Sequence, residues 1–266
     1  MEDEVLFTID EDKIARLTLN RPDVHNAFNN HMIEKIIEHL KKLQEAPEIR
    51  ALVISGNGKS FCAGADLAWM ERASHFTESE NFEDARLLSL MMYFLDTLLI
   101  PTITYVHGAV RGGGIGLIAC SDIVLADPLA TFSFSEVKLG LAPAVISPYV
   151  LKAIAPRYAR RYFLTGETFD TSPALQMGLI HEMVDLEKKD SALEIILHQI
   201  LTSNPSAVNQ AKKLIQELTH KISENNRLMT IELIAKMRQS EEGQQGIKSF
   251  LQKRPPPWVP ERFHDD

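Results

Sequence analysis

Residues 102–126 read TITYVHGAVRGGGIGLIACSDIVLA, and their layout decides the fold. Thr102 to Val106 is a short apolar run, read as a strand. Gly112-Gly113-Gly114 then opens an apolar segment that ends at Cys120, and Ile123 to Ala126 is the next strand. Working outward, Ala51 to Ser55 is another short strand, stopped by Gly56-Asn57-Gly58. Phe61 to Leu67 is a loop of small residues. A helix with Leu87, Leu88, Met91, Leu95 and Leu98 on one side follows it and ends before Pro101. At the N-terminal side, Val5 to Ile9 and Ile14 to Leu19 alternate apolar and polar residues around Asp10-Glu11-Asp12, the pattern of a β-hairpin. From Met32 to Leu43 the apolar positions Met32, Ile33, Ile36, Ile37, Leu40 and Leu43 mark an amphipathic helix. Short strands alternating with helices imply an α/β core.

Beyond about Pro143 the pattern turns helical. Pro156 and Gly166 bracket one helix. Ser172-Pro173 reads as an N-cap followed by proline, with Gly178 as the stop. Thr202-Ser203-Asn204-Pro205 is a break, and only helical patterns follow up to Pro255-Pro256-Pro257. The chain therefore divides into a core, 1–201, and a C-terminal helical region, 202–266.

The composition narrows the function. The 266 residues are 45% hydrophobic and 24% charged, with a formal net charge of −8. That balance suits a soluble globular protein and disfavours general affinity for nucleic acid or anionic membrane. Cys62 and Cys120 sit in no Cys-x-x-Cys or His-rich spacing, so neither a disulfide scaffold nor a metal site is expected. The acidic start, Met1-Glu2-Asp3-Glu4, does not look like a signal peptide, and no apolar run is long enough to cross a bilayer. The expected location is cytoplasmic.

Two segments could carry chemistry: Phe61-Cys62-Ala63-Gly64-Ala65-Asp66-Leu67 and Gly108-Ala109-Val110-Arg111-Gly112-Gly113-Gly114. Each follows a strand and precedes a helix. Backbone without side chains lets a ligand approach N–H groups, and a helix start leaves donors unpaired. Two such N–H groups aimed at one point would hold an oxyanion. Taken singly, each segment reads more readily as a tight turn packed on a neighbouring helix, because such turns are common. The Walker phosphate loop is absent, and Gly112-Gly113-Gly114-x-Gly116 lacks the Rossmann spacing.

These segments resemble the enoyl-CoA hydratase/isomerase family, the crotonases. The likeness also takes in Asn20-Arg21-Pro22, Asn26-Ala27-Phe28, Ser121-Asp122-Ile123 and Phe134-Ser135-Glu136-Val137-Lys138-Leu139-Gly140-Leu141-Ala142-Pro143, in order from about Val5 to Lys253. The resemblance implies a spiral of ββα units with a C-terminal helical trimerisation region, assembled as a homotrimer or a homohexamer. It implies an acyl-CoA thioester as partner, with coenzyme A part of the substrate and no separate cofactor.

By motif, the resemblance assigns the oxyanion donors to the backbone N–H groups of Ala65 and Gly113. Glu136 takes the place of one of two catalytic glutamates. The place of the other is Gly116, which has no side chain. Desolvation by Phe132, Phe134, Leu139 and Leu141 would bring the Glu136 pKa toward neutrality. Tyr149, His107 and Glu71 are candidates for the missing acid. The resemblance carries CoA and substrate contacts to Asp23, Val24, His25, Ala27, Ala63, Ala65, Asp66, Leu67, Gly113, Gly116, Leu141 and Lys253. Trp69 and Met70 either line the acyl pocket or pack a helix.

Within the family, residues 65–70, 136–150 and 160–167 resemble bacterial methylglutaconyl-CoA hydratases of leucine breakdown. Such a substrate carries a distal carboxylate, for which Arg111 or Lys138 could supply the cation, although both read equally well as solvated surface charges. The reading is thus hydration of a 2-enoyl-CoA. One alternative is a Δ3,Δ2-enoyl-CoA isomerase that uses Glu136 alone. Another is a non-catalytic acyl-CoA- or RNA-binding protein. Against RNA, the segment from Glu34 to Glu48 mixes Lys35, Lys41 and Lys42 with four glutamates.

Overall fold

A computed structural model describes residues 3–219 and 222–259. The hairpin forms as its alternation requires. Strands β1 (Val5–Ile9) and β2 (Ile14–Leu19) pair antiparallel, with Val5 opposite Leu19. Helix α1 (Asn30–Gln44) is capped by Asn29, whose side chain accepts from the Met32 N–H. It buries the same six apolar residues that its sequence periodicity singles out. Each such side chain contributes roughly 1.5–3 kcal/mol on burial.

The chain then repeats one theme. β3 (Ala51–Gly56) enters the main sheet, Cys62 makes a parallel bridge to Val110, and α2 (Leu67–Ala73) and α3 (Glu78–Asp96) follow. β4 (Thr102–Val106) enters the main sheet, β5 (Ala109–Arg111) enters a second sheet, and α4 (Gly113–Ala119) follows. β6 (Ile123–Ala126) and β7 (Thr131–Ser133) repeat the step, and a 3-10 turn at Ser135–Leu139 leads to α5 (Ser147–Ala153). This is the expected spiral of ββα units. The rest of the core is α6 (Pro156–Thr165), β8 (Phe169–Asp170), α7 (Thr171–Gln176), β9 (Glu182–Met183) and α8 (Lys189–Leu201). The main sheet runs β1-β2-β3-β4-β6-β9, parallel after the hairpin, and the small sheet runs β5-β7-β8.

Three local readings change. The region beyond Pro143 is not purely helical, because β8 and β9 each add two residues to a sheet. Helix α7 is capped by Asp170, which accepts from the Ser172 N–H, so Ser172 lies inside the helix. Helix α3 stops at Asp96, leaving Leu98 buried just beyond its end.

The C-terminal helices α9 (Pro205–Leu218), α10 (Glu224–Gln239) and α11 (Glu241–Leu251) lie on this core. Helix α10 packs along α3, and α11 covers α2 and the 3-10 turn. Lys212 of α9 donates to the Ile100 carbonyl and to Asp122. Leu214, Ile215 and Leu218 stay exposed on α9, as do Met229 and Leu233 on α10.

Candidate active site

The two small-residue loops meet. The Cys62 N–H donates to the Ala109 carbonyl, and the Arg111 N–H returns to the Cys62 carbonyl. Gly114 is pressed so close to Cys62 that a β-carbon there would stand 2.9 Å from the cysteine's own. On its other edge the first loop pairs with Phe28: the Phe28 N–H donates to Gly64, and the Asp66 N–H donates to Phe28. That alternation turns the Ala65 N–H away from Phe28. Gly113 is the first residue of α4, where an N–H has no intrahelical partner. A β-carbon on Gly113 would stand 3.0 Å from the Phe28 ring. Among the described residues neither N–H is bonded within the chain. Both residues line one cavity.

Glu136 lines the same cavity from the 3-10 turn. The residue keeps some surface, but its Oε2 is enclosed and has no hydrogen-bond partner. Desolvation raises the carboxyl pKa to about 7, and the residue's own N–H opposes the shift. Leu139 and Leu141 flank it as expected. Phe132 and Phe134 turn the other way, against Phe169 and Phe163, and do not wall the carboxyl.

The cavity wall also holds a polar group the sequence reading missed. Trp69 Nε1–H donates to Asp84 Oδ1 at 2.9 Å, and Arg238 Nη1 pairs with Asp84 Oδ2 at 2.7 Å. The guanidinium sits 4.8 Å from the Trp69 ring centroid. All three residues are buried and line the cavity. Among the described residues Asp84 is the only other carboxylate in that wall, and both of its oxygens are engaged. One signal was available: Asp84 lies on the apolar side of α3, four residues before Leu88. Arg238 gave none, since its partner is 154 residues away.

Of the residues assigned by resemblance, the cavity brings together Ala63, Ala65, Gly113, Glu136 and Leu141, with Trp69 and Met70. Asp23, Val24, His25, Leu67 and Lys253 are exposed and lie outside its wall. The Ala27 carbonyl accepts from Arg21, and the His25 carbonyl from the Ala63 N–H. Asp66 caps α2 through the Trp69 N–H and pairs with Arg21, which lowers its pKa. Gly116 is enclosed: a β-carbon there would stand 2.5 Å from Ile146 Cγ2 and 2.7 Å from Met92 Cε.

The candidates for a second acid lie elsewhere. Tyr149 is buried in the main core with its hydroxyl unpaired. His107 bonds the Gly58 carbonyl, and Glu71 is exposed. Of the two expected cations, Arg111 lines the cavity and Lys138 does not. Arg111 folds back onto Thr131, and Lys138 is exposed outside the wall. On α1, Lys35 and Lys42 both pair with Glu38, which leaves no basic stripe there. Among the described residues no helix is long and apolar enough to cross a membrane.

A family model described as enoyl-CoA hydratase/isomerase matches residues 10–261. The chain is 28% identical to a putative enoyl-CoA hydratase of Thermus thermophilus, over 94% of this chain and 99% of that protein. It is 25% identical to a trans-2-decenoyl-[acyl-carrier-protein] isomerase of Streptococcus mutans, over 95% and 97%. A crystal structure of an enoyl-CoA hydratase from Shewanella pealeana superposes with a TM-score of 0.79 at 42% identity, covering 96% of each chain.

Proposed function

The chain belongs to the enoyl-CoA hydratase/isomerase family, and from that premise we propose that it adds water to a 2-enoyl-CoA. The thioester oxygen would sit against the N–H groups of Ala65 and Gly113. As water attacks Cβ, Glu136 takes its proton and negative charge moves onto that oxygen as an enolate. Donors fixed in advance stabilise this state more than the ground state. Glu136 then returns a proton to Cα, so one carboxyl group serves as base and then as acid.

The observation that carries this reading is a Glu136 carboxyl whose Oε2 is enclosed and without a partner, on the same cavity as two main-chain N–H groups unbonded among the described residues. A pKa near 7 suits a group that must both accept and give a proton at neutral pH. The substrate proposed is a branched enoyl-CoA such as methylglutaconyl-CoA of leucine breakdown, handled in the cytoplasm. The proposed assembly is a homotrimer or a pair of trimers that covers the apolar faces of α9 and α10. The test is hydration of a panel of 2-enoyl-CoAs by wild type and Glu136→Gln. Full activity in the variant would remove Glu136 from the mechanism.

A second reading is isomerisation of 3-enoyl-CoA. What favours it is the Gly116 position, where Met92 and Ile146 occupy the space of a second acid; the Streptococcus mutans relative is itself named an isomerase. Rapid formation of the conjugated thioester from a 3-enoyl-CoA, with no hydration, would establish it.

A further inference from the structure

We propose that Arg238 selects the substrate by binding a carboxylate at the far end of the acyl chain. This rests on the acyl-CoA reading of the cavity. The wall of the cavity is largely apolar, formed by side chains such as Ile234, Val145 and Leu141. A charged side chain buried in such a wall is costly unless its donors are used.

Arg238 uses only one end. Its Nη1 pairs with Asp84, while Nε and Nη2 have no acceptor among the described residues. Neither nitrogen is among the enclosed polar atoms that lack a partner. The Nε–Nη2 edge is the side of a guanidinium that grips a carboxylate through two parallel N–H bonds. Asp84 fixes the opposite end, and the Trp69 ring supports the plane. Asp84 is itself held by the indole N–H, so the fork is oriented before any ligand arrives.

The position is also right for selection. Arg238 comes from α10, Trp69 from α2 and Asp84 from α3, so none belongs to the loops that carry Ala65, Gly113 and Glu136. Lys138 lies outside the cavity, and Arg111, which lines it, has both terminal nitrogens committed to Thr131, so Arg238 offers the uncommitted Nε–Nη2 edge for an acid group.

The test compares two substrates that differ only at the end group: glutaconyl-CoA, ending in carboxylate, and 2-pentenoyl-CoA, ending in methyl. The expected wild-type preference in kcat/KM is at least 10-fold for the carboxylate. In Arg238→Met that ratio should fall by 100-fold or more, and Arg238→Lys should not restore it. An Arg238→Met/Asp84→Leu double variant, with no charge left unpaired, should show the same collapse. Equal loss on both substrates, or an unchanged ratio, overturns the proposal and leaves the pair a purely structural brace. If the wild type hydrates neither substrate, the hydratase reading fails. The Kd values of glutaryl-CoA and valeryl-CoA then test Arg238 alone, with the same ratio expected and the same outcome overturning it.

Discussion

The carboxyl group of Glu136 lies over the backbone of Gly112, its Oε1 3.1 Å from where a β-carbon on that glycine would stand. Gly112 also has φ +45°, in the left-handed region that side chains resist. One missing methyl group therefore serves both the turn into α4 and the approach of the acid. Gly112→Ala should lower stability by about 1–2 kcal/mol through the backbone alone. It should lower kcat by roughly 10- to 100-fold, since a misplaced reacting group costs on that scale. Thermal unfolding and steady-state hydration measure the two effects. A variant with wild-type kcat would show that the acid does not need this approach.

Glu136 links activity to stability through pH. Its pKa is raised, so between about 4.5 and 7 the folded chain holds a proton that the unfolded chain has lost. Its contribution to stability is thus complete below pH 4.5 and is lost as the pH rises through 7. Glu136→Gln stays neutral at every pH and should be more stable than wild type above pH 8, by up to about 3 kcal/mol. The gap should shrink toward pH 5. Urea unfolding at the two pH values measures it. Hydration by the wild type should rise with pH through an apparent pKa near 7, and the residual activity of the variant should lack that limb. A flat wild-type profile from pH 6 to 8 would contradict a carboxylate base.

Much of this was legible because it is local. The helix α1 and the first hairpin follow from spacing alone, and the glycine loops announce a close backbone approach. The strands β5 and β7 were not legible. Three residues carry no periodicity, and the pairing of Ala109 with Thr131 is decided by tertiary register. The surroundings of Glu136 were half right for a similar reason. Leu139 and Leu141 face the cavity, but Phe132 and Phe134 are inner-face residues of a strand and its continuation, packed against strand and helix neighbours. Arg238 could not be found from sequence, because its meaning comes from Asp84, brought to it by the packing of α10 on α3, and from Trp69 of α2, which is tied to Asp84.

The packing at Gly116 explains why an acid cannot simply be added there. Gly116→Glu would drive its β-carbon into Ile146 and Met92, both fully packed. Overpacking of this kind costs about 1–3 kcal/mol, and burying a carboxyl among apolar groups adds to it. The expected outcome is a less stable protein with no gain in hydration. The combination Gly116→Glu/Met92→Ala/Ile146→Ala opens the space and should recover part of the lost stability. Denaturation midpoints across the three proteins decide the point. A stable, faster single variant would show that the site is plastic.

The oxyanion assignment is tested by deleting a donor without deleting a side chain. Because the Ala65 N–H bonds to nothing in the chain among the described residues, Ala65→Pro removes no internal hydrogen bond. The flanking bonds from Phe28 to Gly64 and from Asp66 to Phe28 use other groups and can persist. If the N–H holds the thioester oxygen, kcat should fall by about 10²–10³, the loss typical of one oxyanion donor. The KM should move far less, because the bond strengthens only as charge develops. Unchanged thermal unfolding of the variant separates this from local collapse. An equal rise in KM with kcat preserved would instead place Ala65 in ground-state binding, and the enolate would need another donor.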